Sequence, residues 1–170
     1  MQKAKASSYG FNNEDNRIVL YEAIKYNDTI IIDKQDQDLI ISPFTMWDIT
    51  DKTIIFDKDI IVRAKPGAFL KKSDALFKFV NCENLTILGN NSSLIMNKQE
   101  YLDGEWRMGI SFVGCKNVNL QDVTVSSSGG DGIYLDGLKE GTFSENIYLD
   151  NIISTNNKRQ GISTVSYTHL

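Results

Sequence analysis

Asp131 stands at the centre of the one pattern in this 170-residue chain whose residue types suit acid–base chemistry. Three glycines open apolar segments of the same shape, Gly109-Ile110, Gly132-Ile133 and Gly161-Ile162. Two positions before them stand Arg107, Gly130 and Arg159; one position before stand Met108, Asp131 and Gln160. If these segments lie side by side, Asp131 has an arginine on each flank, and Gly130 leaves space between the two. A carboxylate between two guanidinium groups stays ionised. The planar forks of Arg107 and Arg159 also suit bidentate binding of a substrate carboxylate. Two readings stay open: an ion-pair ladder that closes a turn, or a substrate groove built around Asp131.

Other side chains gather near the same edge in sequence. Tyr134 lies two positions after its glycine, in line with Ser111 and Ser163. That row points outward if Ile110, Ile133 and Ile162 point inward, so Tyr134 either stacks on a sugar ring or covers a strand face. Glu105 and Trp106 sit on an irregular stretch, where aromatic side chains often meet ligands; Trp106 equally suits a place under its own loop. Lys158 reads as a solvated neighbour of Arg159. Other chemistries are excluded. The only histidine is His169, so no Ser-His-Asp or Cys-His set is available. Neither a phosphate-binding GxxxxGK[ST] loop nor a dinucleotide fingerprint occurs. With two cysteines and one histidine there is no zinc spacing.

The elements that must position these residues are written as a repeat. Cys82-Glu83-Asn84-Leu85-Thr86-Ile87, Cys115-Lys116-Asn117-Val118-Asn119-Leu120 and Ser144-Glu145-Asn146-Ile147-Tyr148-Leu149 share one pattern. The last two copies keep a common offset of 29 residues, from Asn117 to Asn146 and from Gly132 to Gly161. Such a period signals stacked units that bury apolar faces against their neighbours. Within each copy the apolar residues alternate, which is the period of strands. Short strands are expected at Thr29–Ile32, Leu39–Ile41, Thr53–Phe56, Ile60–Val62, Ala75–Val80, Leu85–Leu88, Ile110–Val113, Val118–Leu120, Val123–Val125, Ile133–Leu135 and Ile147–Leu149. Asn84, Asn117 and Asn146 are expected to form a ladder, because Asn tolerates left-handed corners and stacked amides bond to one another. Leu20, Ala23 and Ile24 give Arg17–Tyr26 helical spacing, with Asp15 or Asn16 as cap. Gln99–Arg107 and Gly137–Phe143 read as loops leaving the repeat. Cys82 and Cys115, in the same slot of successive copies, read as small buried residues; stacked side chains seldom reach the disulfide dihedral.

The fold expected from these signals is all-β: a right-handed parallel β-helix solenoid with a short N-terminal capping helix, truncated at its C-terminus. Residues 1–165 form one partial domain in this reading, and residues 166–170 a non-native tail. The net charge of −4 and the dispersed basic residues do not suggest a nucleic-acid partner. No stretch approaches the roughly 20 apolar residues of a membrane span, and the N-terminus shows no signal peptide.

Three features carry a family resemblance: Ser8-Tyr9-Gly10-Phe11 with the helix ending in Ala23-Ile24; Glu105-Trp106-Arg107-Met108; and Ser128-Gly129-Gly130-Asp131-Gly132-Ile133-Tyr134-Leu135 followed by Asn157-Lys158-Arg159-Gln160-Gly161-Ile162-Ser163. Together they resemble the N-terminal half of parallel β-helix proteins of the pectin-lyase-like superfamily. The chain lacks the Asn-Thr-Asp and Gly-His-Gly pair of polygalacturonases and the Asp-Pro-His of alginate epimerases. The resemblance implies a bacterial, secreted protein, extracellular or periplasmic, with a polysaccharide as partner. Its implied activity is that of a polysaccharide lyase or glycoside hydrolase, possible substrates including uronate-containing polymers. The catalytic candidates are then Asp131, Arg159 and Glu105; Arg107, Trp106, Tyr134 and Lys158 become substrate-binding candidates. No cofactor is firmly implied, although a lyase would admit Ca²⁺. The rival reading is a non-catalytic carbohydrate binder, adhesin or tailspike-like stalk.

Overall fold

A computed structural model describes residues 3–140 and 142–165. The expected non-native tail at 166–170, with His169, lies outside the described residues. The chain opens with strand β1 (Lys3–Lys5), a 3₁₀ turn over Ala6–Tyr9 and helix α1 (Arg17–Tyr26). It continues through β2 (Thr29–Ile32), β3 (Leu39–Ile41), β4 (Phe44–Trp47), β5 (Thr50–Phe56), β6 (Ile61–Ala64) and β7 (Ala75–Val80). Next come β8 (Glu83–Ile95), a 3₁₀ turn over Lys98–Glu100, β9 (Met108–Val113) and β10 (Lys116–Ser126). The last strands are β11 (Ile133–Asp136), β12 (Glu145–Thr155) and β13 (Ile162–Thr164).

These strands make two sheets with parallel pairing throughout. One has the order β1-β2-β5-β8-β10-β12, with β3 and β6 joined through β8; the other runs β13-β11-β9-β7-β4. This corrects the expectation of an all-β, right-handed parallel β-helix. Helical elements are interspersed among the strands of two parallel sheets, no closed solenoid is found among the described residues, and the architecture is of the α/β type. The physical reason is that a repeat in sequence specifies which strands are neighbours, not whether their sheets close on one another.

The register itself follows the repeat. Val118 pairs with Leu85 and with Ile147, and Leu120 with Ile87 and Leu149. Parallel in-register pairing puts like side chains one above another, so alternation within each strand becomes an apolar stack across strands. Phe56 of one sheet meets Phe77 of the other edge to face at 6.1 Å, and Phe79 stacks on Phe112 at 5.6 Å. The core lies between the sheets, and α1 adds buried Leu20, Ala23 and Ile24 to it. Cys82 and Cys115 are buried free thiols. Their hydrogen bond to one another, together with burial, pushes the Cys82 thiol up.

Corners hold the register. Asn84, Asn117 and Asn146 have φ of 55°, 53° and 54°. Asn117 Nδ2 donates to Asn84 Oδ1 at 3.0 Å, and Asn146 Nδ2 to Asn117 Oδ1 at 2.9 Å. The ladder extends one strand further than the sequence suggested, since Asn84 Nδ2 donates to Asp51 Oδ1 at 2.8 Å. A second ladder joins Asn151 to Asp122 at 2.7 Å, both at positive φ. The N-terminal segment is tied down separately. Asp15 accepts N–H bonds from Arg17 at 3.1 Å and Ser42 at 3.0 Å. Burial opposes the Asp15 charge, but the donors of Ser42 and Arg17 outweigh it and hold the carboxyl below its usual range.

Two outcomes follow from these contacts. Asn117→Ala removes two ladder bonds and a left-handed former, and is expected to cost on the order of 1–3 kcal/mol in urea unfolding. Asn117→Gly keeps the backbone conformation and is expected to recover part of that loss. The folded Asp15 carboxyl titrates below its unfolded value near 3.8. Its contribution is therefore present above that value and is lost as pH falls through the folded pKa. Asp15→Asn is expected to lower stability at neutral pH and to flatten stability against pH in that acid window.

Candidate functional site

The glycine alignment holds in three dimensions. Ile133 pairs with Ile110 on one side and Ile162 on the other. Gly109 N–H donates to Asp131 O at 3.1 Å, and Gly132 N–H to Gln160 O at 3.0 Å. Close approach explains the glycine at 132: a Cβ there would stand 1.9 Å from Ser154 Oγ and 2.8 Å from Gly161 O. The turn before it is braced from the next strand crossing. Asn157 Oδ1 accepts the Ser128 N–H at 3.1 Å, and Asn157 Nδ2 donates to Ser154 Oγ at 3.0 Å.

Asp131 is fully buried. Its Oδ1 accepts the Gln160 N–H at 2.9 Å and lies 3.7 Å from Arg159 Nε. Its Oδ2 is also buried, with no hydrogen-bond partner among the described residues. An unpaired buried carboxylate oxygen is costly; among the described residues Ser92 Oγ is likewise buried without a partner. Arg159 is partly exposed and faces a second carboxylate, Glu105 Oε2, at 3.9 Å from the same Nε. Both carboxylates thus lie within 4 Å of one nitrogen.

Arg107 is not brought to Asp131. Its backbone is left-handed, with φ of 77°, and this sends the side chain beneath its own loop. Arg107 Nε donates to Phe69 O at 2.7 Å, Nη2 to Leu70 O at 2.8 Å, and Nη1 to Asp103 Oδ1 at 2.5 Å. The guanidinium also lies 5.2 Å from the Tyr101 ring centroid. That hydrogen bond from Arg107 holds the Asp103 carboxyl below the usual range, and burial pushes the Tyr101 phenol up to about 12. The expected pair of arginines flanking Asp131 is thus one arginine, with the other serving as a loop anchor.

The remaining candidates divide in the same way. Lys158 is half-buried rather than fully solvated: its Nζ donates to Tyr101 O, which ties the 97–107 segment to the last strand crossing. Lys98 Nζ makes a similar tie to Asn156 Oδ1 at 2.6 Å. Trp106 is partly exposed, with its indole ring against Gly104. Tyr134 is half-buried and its hydroxyl donates to Asp136 Oδ2 at 3.2 Å. Its row is less open than alternation suggests, because Ser111 is buried. Gln160 acts through its main-chain N–H, which leaves no trace in residue type. Asp103, by contrast, is four positions before Arg107, a spacing that could have flagged the pair.

Among the described residues, no group of three or more His, Cys, Asp or Glu side chains is placed to hold a metal. The Ca²⁺ admitted for a lyase therefore finds no donor set of that kind there. Among the same residues, no helix is long and apolar enough to cross a membrane.

No protein-family model and no curated protein matches the chain. A solved structure from Parabacteroides merdae, described as a candidate glycosyl hydrolase, has the same overall fold. The TM-score is 0.70 over 95% of this chain and 79% of the other, at 14% identity. At that identity the likeness is one of fold.

The two arginines are expected to separate by stability. Arg107→Lys loses the planar fork that serves three partners in a buried setting, at an expected cost on the order of 1–3 kcal/mol in urea unfolding. Arg159→Lys keeps a cation at a partly exposed position beside Asp131 and Glu105. It is expected to change stability by about 1 kcal/mol or less.

Proposed function

We propose that the protein is carbohydrate-active, and that it is a polysaccharide lyase acting on an extracellular, uronate-containing polymer. The observation that carries this reading is the Asp131–Arg159 pair, in which a buried carboxylate has one unpaired oxygen beside a partly exposed guanidinium. The shared fold with a candidate glycosyl hydrolase supports a role on sugars. In the proposed reaction, Arg159 neutralises the uronate carboxylate, which acidifies the hydrogen on the adjacent carbon. Asp131 takes that proton as general base. The C–H electron pair becomes a C=C bond, the neighbouring C–O bond breaks, and the departing oxygen takes a proton from solvent. If Glu105 instead joins Asp131 as a second carboxylate, the same site suits hydrolysis.

A second reading has its own observation. Asp131 is fully buried, which suits a non-catalytic carbohydrate binder in which the Asp131–Arg159 pair holds a turn. A panel of acidic and neutral polysaccharides separates the readings. Ultraviolet-absorbing unsaturated ends are the expected product; new reducing ends without that absorbance would indicate hydrolysis, and binding without product would indicate the binder. For a lyase, Asp131→Asn is expected to lower kcat on the order of 10²- to 10⁴-fold, with an unchanged unfolding midpoint. Full activity in Asp131→Asn would remove Asp131 from the chemistry.

A further inference from the structure

We infer that Glu105 is a built-in stand-in for the ligand's carboxylate, held beside Arg159 until an acidic sugar displaces it. This rests on the proposed binding of a uronate by Arg159. Arg159 Nε lies 3.7 Å from Asp131 Oδ1, which also accepts the Gln160 N–H, a bond fixed by the strand register. The same Nε lies 3.9 Å from Glu105 Oε2, a separation too long for a direct hydrogen bond, and the Glu105 side chain is 65% exposed. An exposed ion pair of that geometry is worth little, so a carboxylate fixed on a larger ligand competes with it readily.

The surrounding loop is built so that Glu105 can leave alone. Tyr101 is buried and its carbonyl accepts from Lys158; Arg107 is buried on Phe69, Leu70 and Asp103. The Trp106 carbonyl is packed so near Gly129 that a Cβ there would come within 2.3 Å of it. Between these anchors Leu102 is 89% exposed and Gly104 has φ of 122°. Rotation of one side chain frees Arg159 while every anchor stays in place. The ligand class follows from the group then presented: the partly exposed Arg159 guanidinium takes a carboxylate. A uronic acid residue carries one.

Calorimetric titration with the trisaccharides of galacturonate, glucuronate and mannuronate, and with neutral xylotriose, tests this. Glu105→Gln is expected to bind at least one acidic trisaccharide about two- to fivefold more tightly than wild type, the range an exposed ion pair supports. Xylotriose affinity is expected not to change, and Arg159→Gln should abolish the gain. Trp106 fluorescence, read in a Trp47→Phe background, is expected to shift on ligand addition in wild type and to be shifted already in ligand-free Glu105→Gln. Equal or weaker acidic binding in Glu105→Gln, or no acidic binding by either protein, overturns the inference. Tighter binding by Glu105→Gln without cleavage of any polymer would keep the inference while ending the lyase reading. Loss of cleavage in Glu105→Gln without tighter binding would make Glu105 a catalytic acid and overturn it.

Discussion

Left-handed corners occupied by Asn and Asp are the constraint on which the rest of this molecule depends. A strand can turn sharply at one residue only if that residue accepts positive φ, which costs most L-residues roughly 1–2 kcal/mol. Asn and Asp lower that cost, and here the amide does a second job. Each Asn at 84, 117 and 146 donates to the oxygen of the residue one strand below. A slip of one residue would break the ladder and turn every apolar side chain to the wrong face. Corner chemistry and core packing therefore enforce the same register, and the aromatic contacts between Phe44, Phe77, Phe79 and Phe112 depend on it.

That register is what makes a precise polar site possible on short strands. Gly109, Gly132 and Gly161 are brought into line, and the residues preceding them follow. Asp131 is then held from both sides: its carbonyl accepts the Gly109 N–H and its carboxylate the Gln160 N–H. Buried ion pairs are poor sources of stability, because desolvation offsets most of the attraction.

The two arginines illustrate how one residue type serves opposite ends. Arg107 satisfies its guanidinium inside the protein, on two carbonyls, a carboxylate and an aromatic face. Arg159 keeps its guanidinium partly in solvent, between a buried acid and an exposed one. The first stiffens the loop that carries Glu105 and Trp106; the second links that loop to the Gly-Ile strands. Lys98 and Lys158 pin the same loop to the last strand crossing, so its reach over Arg159 is limited to a few residues.

Local signals in the sequence determined a good deal. Helix α1 spans Arg17–Tyr26 as its spacing indicates, and the strands at Thr29–Ile32, Leu39–Ile41 and Ala75–Val80 match their apolar patterns. The Asn ladder and the Gly-Ile alignment were legible because period and corner chemistry are properties of neighbouring residues. Strand β1, with its two lysines, and β4, directly after Pro43, carried no such pattern and form because partner strands lie beside them. Tertiary structure alone decided that the sheets pack as separate layers with helical elements between strands, since closure depends on contacts far apart in the chain. It also decided that Arg107 turns away from Asp131 while Arg159 stays. Register fixes where a backbone lies, but the direction of a long side chain is set by the backbone angle at that residue and by the acceptors within reach.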